Sequence, residues 1–205
     1  MNHTVKVLRV PFAMVAALLL LVGCSVNVTN GMGDMDDMHH SDKDSKSDEK
    51  ASSAEFSAID LMFADMMIPH HQQAVDISNL ALTKSKDSEL LALATAIRDG
   101  QADEIVQMKQ WLKGAGAGSE MGHTMDGQMG GMLDDAELAA LKSATGSEFD
   151  RLWLLGMTGH HDGALHMTQM IEDASNPTIK KFGQDIVALQ TAQIDQMKVM
   201  LQRIK

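Results

Sequence analysis

The sequence has 205 residues, a formal net charge of −11 and a single cysteine. The acidic balance, without any stripe of lysine and arginine, argues against a nucleic-acid partner. One cysteine excludes an intramolecular disulfide, so an exported domain must be held together by its core or by ligands. The composition has one peculiarity, because 18 methionines accompany five phenylalanines, two tryptophans and no tyrosine. Since methionine fills irregular cores well, its positions carry more information than its number.

The N-terminus has the features of a bacterial lipoprotein signal peptide. Lys6 and Arg9 precede an apolar run over Val10–Val22, which is too short to span a bilayer comfortably. The run leads into Leu-Val-Gly-Cys, a lipobox-like sequence that places the only cysteine, Cys24, at the position that receives the lipid. We therefore expect residues 1–23 to be removed and Cys24 to anchor the protein to the extracytoplasmic side of the cell membrane. A chance cysteine behind an ordinary signal peptide is the alternative.

Residues 24–53 are predicted to be a flexible tether. This segment is rich in Gly, Asp, Ser and Lys and contains little that is apolar except methionine, so it cannot bury enough surface to fold. Its methionines have no core to fill, and two histidines stand beside them. The tether therefore offers accessory metal ligands at Met35, Met38, His39 and His40, with low-complexity drift as the alternative.

The remaining part, 54–205, is predicted to be one all-α domain. No stretch alternates convincingly between apolar and polar residues as a strand does. A Gly- and Met-rich loop is expected over 114–132, with further accessory metal ligands at Met121, His123 and Met125. The segments with helical periodicity are about 54–83, 88–112, 134–142, 147–173 and 177–203.

Three sequence signals predict where long helices begin. Ser52 with Glu55, and Ser147 with Asp150, have the spacing of a capping box, in which each side chain satisfies a backbone N–H of the other residue. The Asn-Pro pair at Asn176 is typical of a helix start with proline in the first turn.

The two halves of the domain repeat one another. Met-Ile-Pro-His-His, beginning at Met67, returns at constant spacing as Met-Thr-Gly-His-His, beginning at Met157, and the apolar faces of the second and fourth long helices repeat in the same way. One amphipathic hairpin cannot cover its own apolar face, whereas two can cover each other. The sequence therefore predicts a four-helix bundle built from a duplicated helical hairpin.

The repeated unit carries the candidate chemistry. A methionine three and four residues before two histidines shares one patch of a helix with them. Thioether and imidazole ligands favour copper, above all Cu(I), over Mg²⁺, Ca²⁺ or Mn²⁺. Core packing and ordinary buried histidines are the structural alternative, although packing does not require paired histidines in duplicate. The candidate metal ligands are Met67, His70, His71, Met157, His160 and His161, with Met66 and His166 as further members.

Two further features accompany the histidine pairs. Pro69 and Gly159 each precede a pair and weaken a helix, which indicates that a kink or break is tolerated there. Gln101 and Gln190 occupy matching places on otherwise apolar faces, where a buried amide must find partners. Each glutamine is a candidate to orient a ligating imidazole, or alternatively to pair across the bundle and set its register.

These motifs are similar to those of the family called domain of unknown function 305. The resemblance is carried by MIPHHQQA over Met67–Ala74 and by a following Gln101, Ile105, Met108, Trp111 and Leu112, and it extends from about Phe56 to Leu201. It implies an exported, ferritin-like four-helix bundle, and some members of the family are linked to copper binding outside the cytoplasm. The second copy departs from the motif at Thr158-Gly159 and Asp162-Gly163, so the two sites are not expected to be identical.

We therefore predict a metal-binding protein rather than an enzyme, handling copper as a bound ion. A di-iron or di-manganese oxidoreductase is the main alternative, but that chemistry needs inward-pointing Glu-x-x-His pairs. The chain has this spacing at Glu120 and His123, within the Gly-rich loop. A metal-free tethered bundle that binds a protein partner is a third interpretation, which leaves the methionines unexplained.

Overall fold

The computed structural model describes residues 55–117 and 130–204, and this part of the chain is helical with no strand. The helices are α1 Ala58–Lys84, α2 Ser88–Gly114, α3 Asp135–Ser143, α4 Gly146–Thr168 and α5 Pro177–Arg203, and a 3₁₀ turn, Gln169–Ile171, follows α4. The predicted all-α class is confirmed, and each predicted helical segment contains a helix. None of the helices in the described ranges is long and apolar enough to cross a membrane. The signal peptide, Cys24, the tether, and Met121, His123 and Met125 of the loop lie outside these ranges.

The helix starts agree only in part with the sequence signals. The capping box of α1 is formed by Ser57 and Asp60, not by the predicted Ser52 and Glu55, of which Ser52 lies outside the described residues. Asn176 caps α5 as predicted, since its Oδ1 accepts hydrogen bonds from the next backbone N–H groups, at 2.9 Å from Thr178 N.

The predicted capping box at Ser147 and Asp150 is wrong. The helix α4 begins earlier, at Gly146, and its cap position is held by Thr145 without a side-chain hydrogen bond. Gly146 has φ of 60°, a conformation that glycine adopts readily and other residues do not. The short connection from α3 therefore turns at this glycine before the predicted cap is reached.

The helices form two antiparallel hairpins, α1 with α2 and α4 with α5, which meet through α1 and α4. The two hydrophobic clusters of the bundle show this arrangement. One cluster is formed by the first halves of α1 and α5 and the second halves of α2 and α4. It includes Phe63, Trp111 and Phe182. The other combines the opposite halves and includes Trp153, whose indole Nε1 donates to the carbonyl of Ile77 at 3.1 Å. The predicted bundle of two repeated hairpins is confirmed.

The helices are not broken before the histidine pairs, although the sequence would tolerate a break there. The helix α1 runs without interruption through Pro69, and α4 runs through Gly159.

Candidate metal centre

A layer of polar side chains crosses the middle of the bundle, between the two hydrophobic clusters. Each hairpin contributes two histidines from one helix and two carboxamide or carboxylate side chains from the other. The layer consists of His70, His71, Gln101 and Glu104 from the first hairpin and His160, His161, Gln190 and Gln193 from the second. All are buried except Glu104, whose side chain is 19% exposed. The fold thus brings both predicted histidine pairs into one layer.

The inner two histidines of this layer pack on each other. The ring centroids of His70 and His160 lie 3.8 Å apart. His160 Nε2 donates to the carbonyl oxygen of His70 at 2.9 Å, and His70 Nε2 donates to the carbonyl oxygen of Gly130 at 3.1 Å. A carbonyl can only accept, so both rings carry their proton on Nε2, and in the neutral imidazole the lone pair is then on Nδ1.

The outer two histidines face the neighbouring helix of their own hairpin. His161 Nε2 lies 2.8 Å from Gln193 Oε1 and donates to it. His71 Nε2 lies 2.7 Å from Glu104 Oε2, at hydrogen-bonding distance but outside hydrogen-bonding angles. The His71 contact is therefore a close approach to a carboxylate without hydrogen-bond geometry, while the His161 contact is a directed hydrogen bond.

The Nδ1 atoms of all four histidines are buried and have no hydrogen-bond partner among the described residues. A buried polar atom without a partner carries a desolvation cost, so native proteins rarely keep several of them together. In the rings of His70, His160 and His161 the Nε2 atom is engaged in a hydrogen bond, and the Nδ1 lone pair is left over. This is the arrangement in which an imidazole is oriented through one nitrogen and can bind a metal ion through the other.

Burial keeps the imidazoles of His70, His160 and His161 neutral at neutral pH. It lowers the pKa of His70 to about 3, with a further contribution from the neighbouring His71, and it lowers the pKa of His161 to about 4. The pKa of His160 also lies well below its ordinary value, first because of burial and then because of His70. A metal ion binds the unprotonated ring, so no proton has to leave these three histidines at neutral pH.

The end of the mid-chain loop is bound across the layer. Gln73 holds Leu133 through two hydrogen bonds, from its Nε2 to the carbonyl at 2.9 Å and from the Leu133 N–H to its Oε1 at 2.8 Å. The preceding Gly130 and Gly131 lie against the backbone of α4, where a Cβ atom on Gly163 would overlap the carbonyl of Gly130. We call residues 130–133 the strap. The strap was not predicted from the sequence. The signal for it was the difference between Gln73 and the equivalent Gly163 in the second repeat, because Gln73 binds the strap and Gly163 leaves room for it.

The predicted methionine ligands lie on opposite sides of the histidine layer. Met67 packs in the cluster that contains Ala164, and Met157 packs in the cluster that contains Ala74. Both methionines are fully buried, three residues before His70 and His160 respectively. Each histidine pair therefore has its own thioether one helical turn away.

Four other predicted residues do not contact the histidine rings as expected. Met66 is half-buried against the cluster around Met67. His166 is exposed, and its Nδ1 lies 2.8 Å from the carbonyl of Asp162 in the same helix. Gln101 and Gln190 are buried in the layer, but the side chains that contact His71 and His161 are Glu104 and Gln193, one turn later on the same helices.

The nitrogen and oxygen ligands alone do not make a complete site. In residues 55–117 and 130–204, no three side chains of His, Cys, Asp or Glu are grouped so that they could hold a metal ion. A metal site in this layer would need donors besides these side chains, and the buried thioethers of Met67 and Met157 lie next to the histidine pairs. Such a donor set differs from the carboxylate-rich set of di-iron bundles.

Residues 60–201 match the family described as Domain of unknown function (DUF305). The chain belongs to this family. The membership indicated by the sequence motifs is thus confirmed, and no curated protein matches the chain.

Solved structures are similar to the chain, DUF305 proteins among them. A DUF305 protein from Streptomyces coelicolor, predicted to be secreted, is 30% identical, with a TM-score of 0.65 over 70% of this chain and 90% of that chain. A DUF305 fragment from Deinococcus radiodurans is 29% identical, with a TM-score of 0.66 over 72% and 97% of the two chains. CopM in its Cu(I)-bound form is 34% identical, with a TM-score of 0.59 over 70% and 95%. CopM has also been solved in Cu(II)-bound, Ag-bound and apo forms.

Proposed function

We propose that this protein binds copper outside the cytoplasm, as Cu(I), between buried methionine and histidine side chains. The observation that carries the proposal is the histidine layer, in which four imidazoles are buried, no Nδ1 atom has a hydrogen-bond partner among the described residues, and three rings have a strongly lowered pKa. A layer that served packing alone would pair these nitrogens or replace them with apolar groups.

The donor set fits a soft, singly charged ion. Each half of the layer offers two imidazole nitrogens and one thioether sulfur, from Met67, His70 and His71 or from Met157, His160 and His161. Thioether ligands select Cu(I) and discriminate against Mg²⁺, Ca²⁺ and Mn²⁺, which prefer oxygen. The similarity to CopM, solved with Cu(I) and with Ag, supports the same preference in this chain.

The proposed location follows from the N-terminal sequence. The lipobox at Cys24 would hold the domain at the membrane surface, and the tether would let it reach ions nearby. The methionines and histidines of the tether and loop would then bind ions loosely, because a flexible segment loses conformational entropy at each capture. The predicted secreted relative supports an extracytoplasmic site of action.

We propose a binding protein rather than an enzyme. A di-metal oxidoreductase would need several carboxylates directed at the histidines, and in the described part of the layer the acidic residue is Glu104. Sequestration or transfer of the ion requires no further groups.

A competition titration tests the proposal. The purified protein is titrated with Cu(I) against a coloured Cu(I) chelator, beside the double variants His70→Ala/His71→Ala and His160→Ala/His161→Ala. We expect each double variant to lose one tight site and to keep its helicity by circular dichroism. His166→Ala, at an exposed histidine outside the layer, is the matched control and should bind as the wild type does. Wild-type affinity in both double variants would show that the layer is structural.

A further inference from the structure

Each histidine pair contacts a side chain of the neighbouring helix, and the residue at that equivalent position differs between the two repeats. Glu104 on α2 and Gln193 on α5 correspond in the repeat, one turn after Gln101 and Gln190. Glu104 Oε2 lies 2.7 Å from His71 Nε2, and Gln193 Oε1 lies 2.8 Å from His161 Nε2. The two contacts have nearly the same length and involve the same ring atom. They differ in geometry, because only the His161 contact has hydrogen-bonding angles, and in charge, because one oxygen belongs to a carboxylate and the other to an amide.

This difference acts on whatever ion the two rings bind. A carboxylate behind a ligating imidazole makes the ring a stronger donor, and groups in this role typically change metal affinity by about 10- to 100-fold. The carboxylate also attracts the ion directly, and at a given distance it attracts a doubly charged ion twice as strongly as a singly charged one. The amide of Gln193 orients His161 but adds no net charge.

We propose that Glu104 makes the two halves of the layer unequal, so that the His70–His71 half accepts divalent cations such as Cu(II) or Zn²⁺ and the His160–His161 half selects monovalent soft ions. The inference rests on the proposed metal-binding function and goes beyond it by assigning selectivity to one residue. Glu104 is a positioning residue, since it acts through His71. Its side chain is 19% exposed, so solvent weakens the effect of its charge without removing it.

The test uses the full chain with two ions that do not change oxidation state, Zn²⁺ and Ag⁺. Dissociation constants are measured by competition for the wild type, Glu104→Gln, Gln193→Glu and the exchanged double variant Glu104→Gln/Gln193→Glu. The matched control is Asp103→Asn, which removes one negative charge from the adjacent, exposed position on α2. Imidazole resonances of ¹⁵N-histidine show which pair receives the first equivalent of Zn²⁺.

We expect Glu104→Gln to weaken Zn²⁺ binding by about 10- to 100-fold and Ag⁺ binding by a clearly smaller factor, while Asp103→Asn changes neither. In the wild type the first Zn²⁺ should perturb His70 and His71, and in the exchanged variant it should perturb His160 and His161. Equal weakening of both ions, or Zn²⁺ that stays on the same pair after the exchange, overturns the inference.

The outcomes also separate this inference from the function on which it rests. A wild type that binds neither ion contradicts both. If the wild type binds Ag⁺ and the ratio of Zn²⁺ to Ag⁺ affinity is the same in the wild type and in Glu104→Gln, only the role of Glu104 is contradicted.

Discussion

Gln73 and Gly163 occupy equivalent positions in the two copies of the repeat, and both contact the strap. Gln73 binds the backbone of Leu133 through both atoms of its amide, and Gly163 leaves the space in which the carbonyl of Gly130 lies. The same carbonyl accepts the hydrogen bond from His70 Nε2. One repeat thus provides the hydrogen bonds for the strap, the other provides the room, and the strap in turn orients a histidine of the layer.

Replacing Gly163 by alanine should displace the strap. The new Cβ would overlap the carbonyl of Gly130, which is backbone and cannot rotate away. We expect Gly163→Ala to lower the free energy of unfolding by about 1–3 kcal/mol, as overpacked buried sites do. Urea unfolding followed by circular dichroism measures it.

Gly159→Ala is the matched control, one turn earlier on the same helix. A Cβ at Gly159 meets no atom within 4 Å, and alanine is a better helix residue than glycine by about 1 kcal/mol. Gly159→Ala should therefore leave the stability unchanged or raise it. If both variants have the same stability, the close contact of the strap with α4 is not present in solution.

The protein should lose stability between pH 7 and pH 5. Burial lowers the pKa of His70 to about 3 and that of His161 to about 4, while the unfolded chain has the ordinary histidine pKa of about 6.5. In this range the unfolded state binds more protons than the folded state, so the free energy of unfolding falls as the pH falls. At pH 5 each such histidine lowers the free energy of unfolding by about 2 kcal/mol. The decrease levels off once the histidines of the folded state ionise near pH 3–4.

Urea titrations at several pH values check this dependence. His161→Gln should flatten the slope by the contribution of one histidine while leaving the sign unchanged. A stability that does not change from pH 7 to pH 5 would mean that the histidines are already accessible to protons in the folded state.

Met67→Leu and Met157→Leu should each weaken Cu(I) binding while preserving the fold. Leucine conserves the volume, so the expected loss of stability is below about 1.5 kcal/mol, but it removes the sulfur. We expect the affinity of the affected site to fall by about tenfold or more, at least the effect of losing a supporting group. Met200→Leu, at a fully buried methionine in α5, is the control. Equal affinities in all three variants would exclude the two methionines as ligands.

The bundle should fold without metal. Both hydrophobic clusters are continuous across all four long helices, in contrast to small metal-dependent domains that are unfolded without their ion. Circular dichroism in the presence of a strong chelator should therefore show the full helical signal. Bound ion should only raise the melting temperature, in proportion to its excess over the dissociation constant.

Cys24→Ser should release the protein from the membrane or leave it unprocessed. The prediction depends on the lipobox after a short apolar run. Fractionation of cells that express the wild type and the variant measures it. A variant that remains in the membrane fraction with its N-terminus uncleaved would indicate a membrane-spanning N-terminal segment instead of a lipid anchor.

The sequence by itself determined the helices, their order and the duplication, because helical periodicity depends on residues that are neighbours along the chain. The pairs His70–His71 and His160–His161 were recognisable for the same reason, since their spacing from Met67 and Met157 is repeated. At Asn176 the side chain accepts hydrogen bonds from the backbone of Thr178 and Ile179, which follow it closely in the chain, and the predicted helix start was confirmed.

The tertiary structure decided which side chains serve the histidines. The predicted partners were Gln101 and Gln190, but Glu104 and Gln193 make the contacts. A shift of one turn is about 5.4 Å along a helix, and it depends on the axial offset and rotation of two packed helices, which no periodicity encodes. The position of the strap also depends on the tertiary structure. Its contact with Gly163 joins residues from distant parts of the chain, and only the packed bundle brings the loop end, the glycine and His70 together.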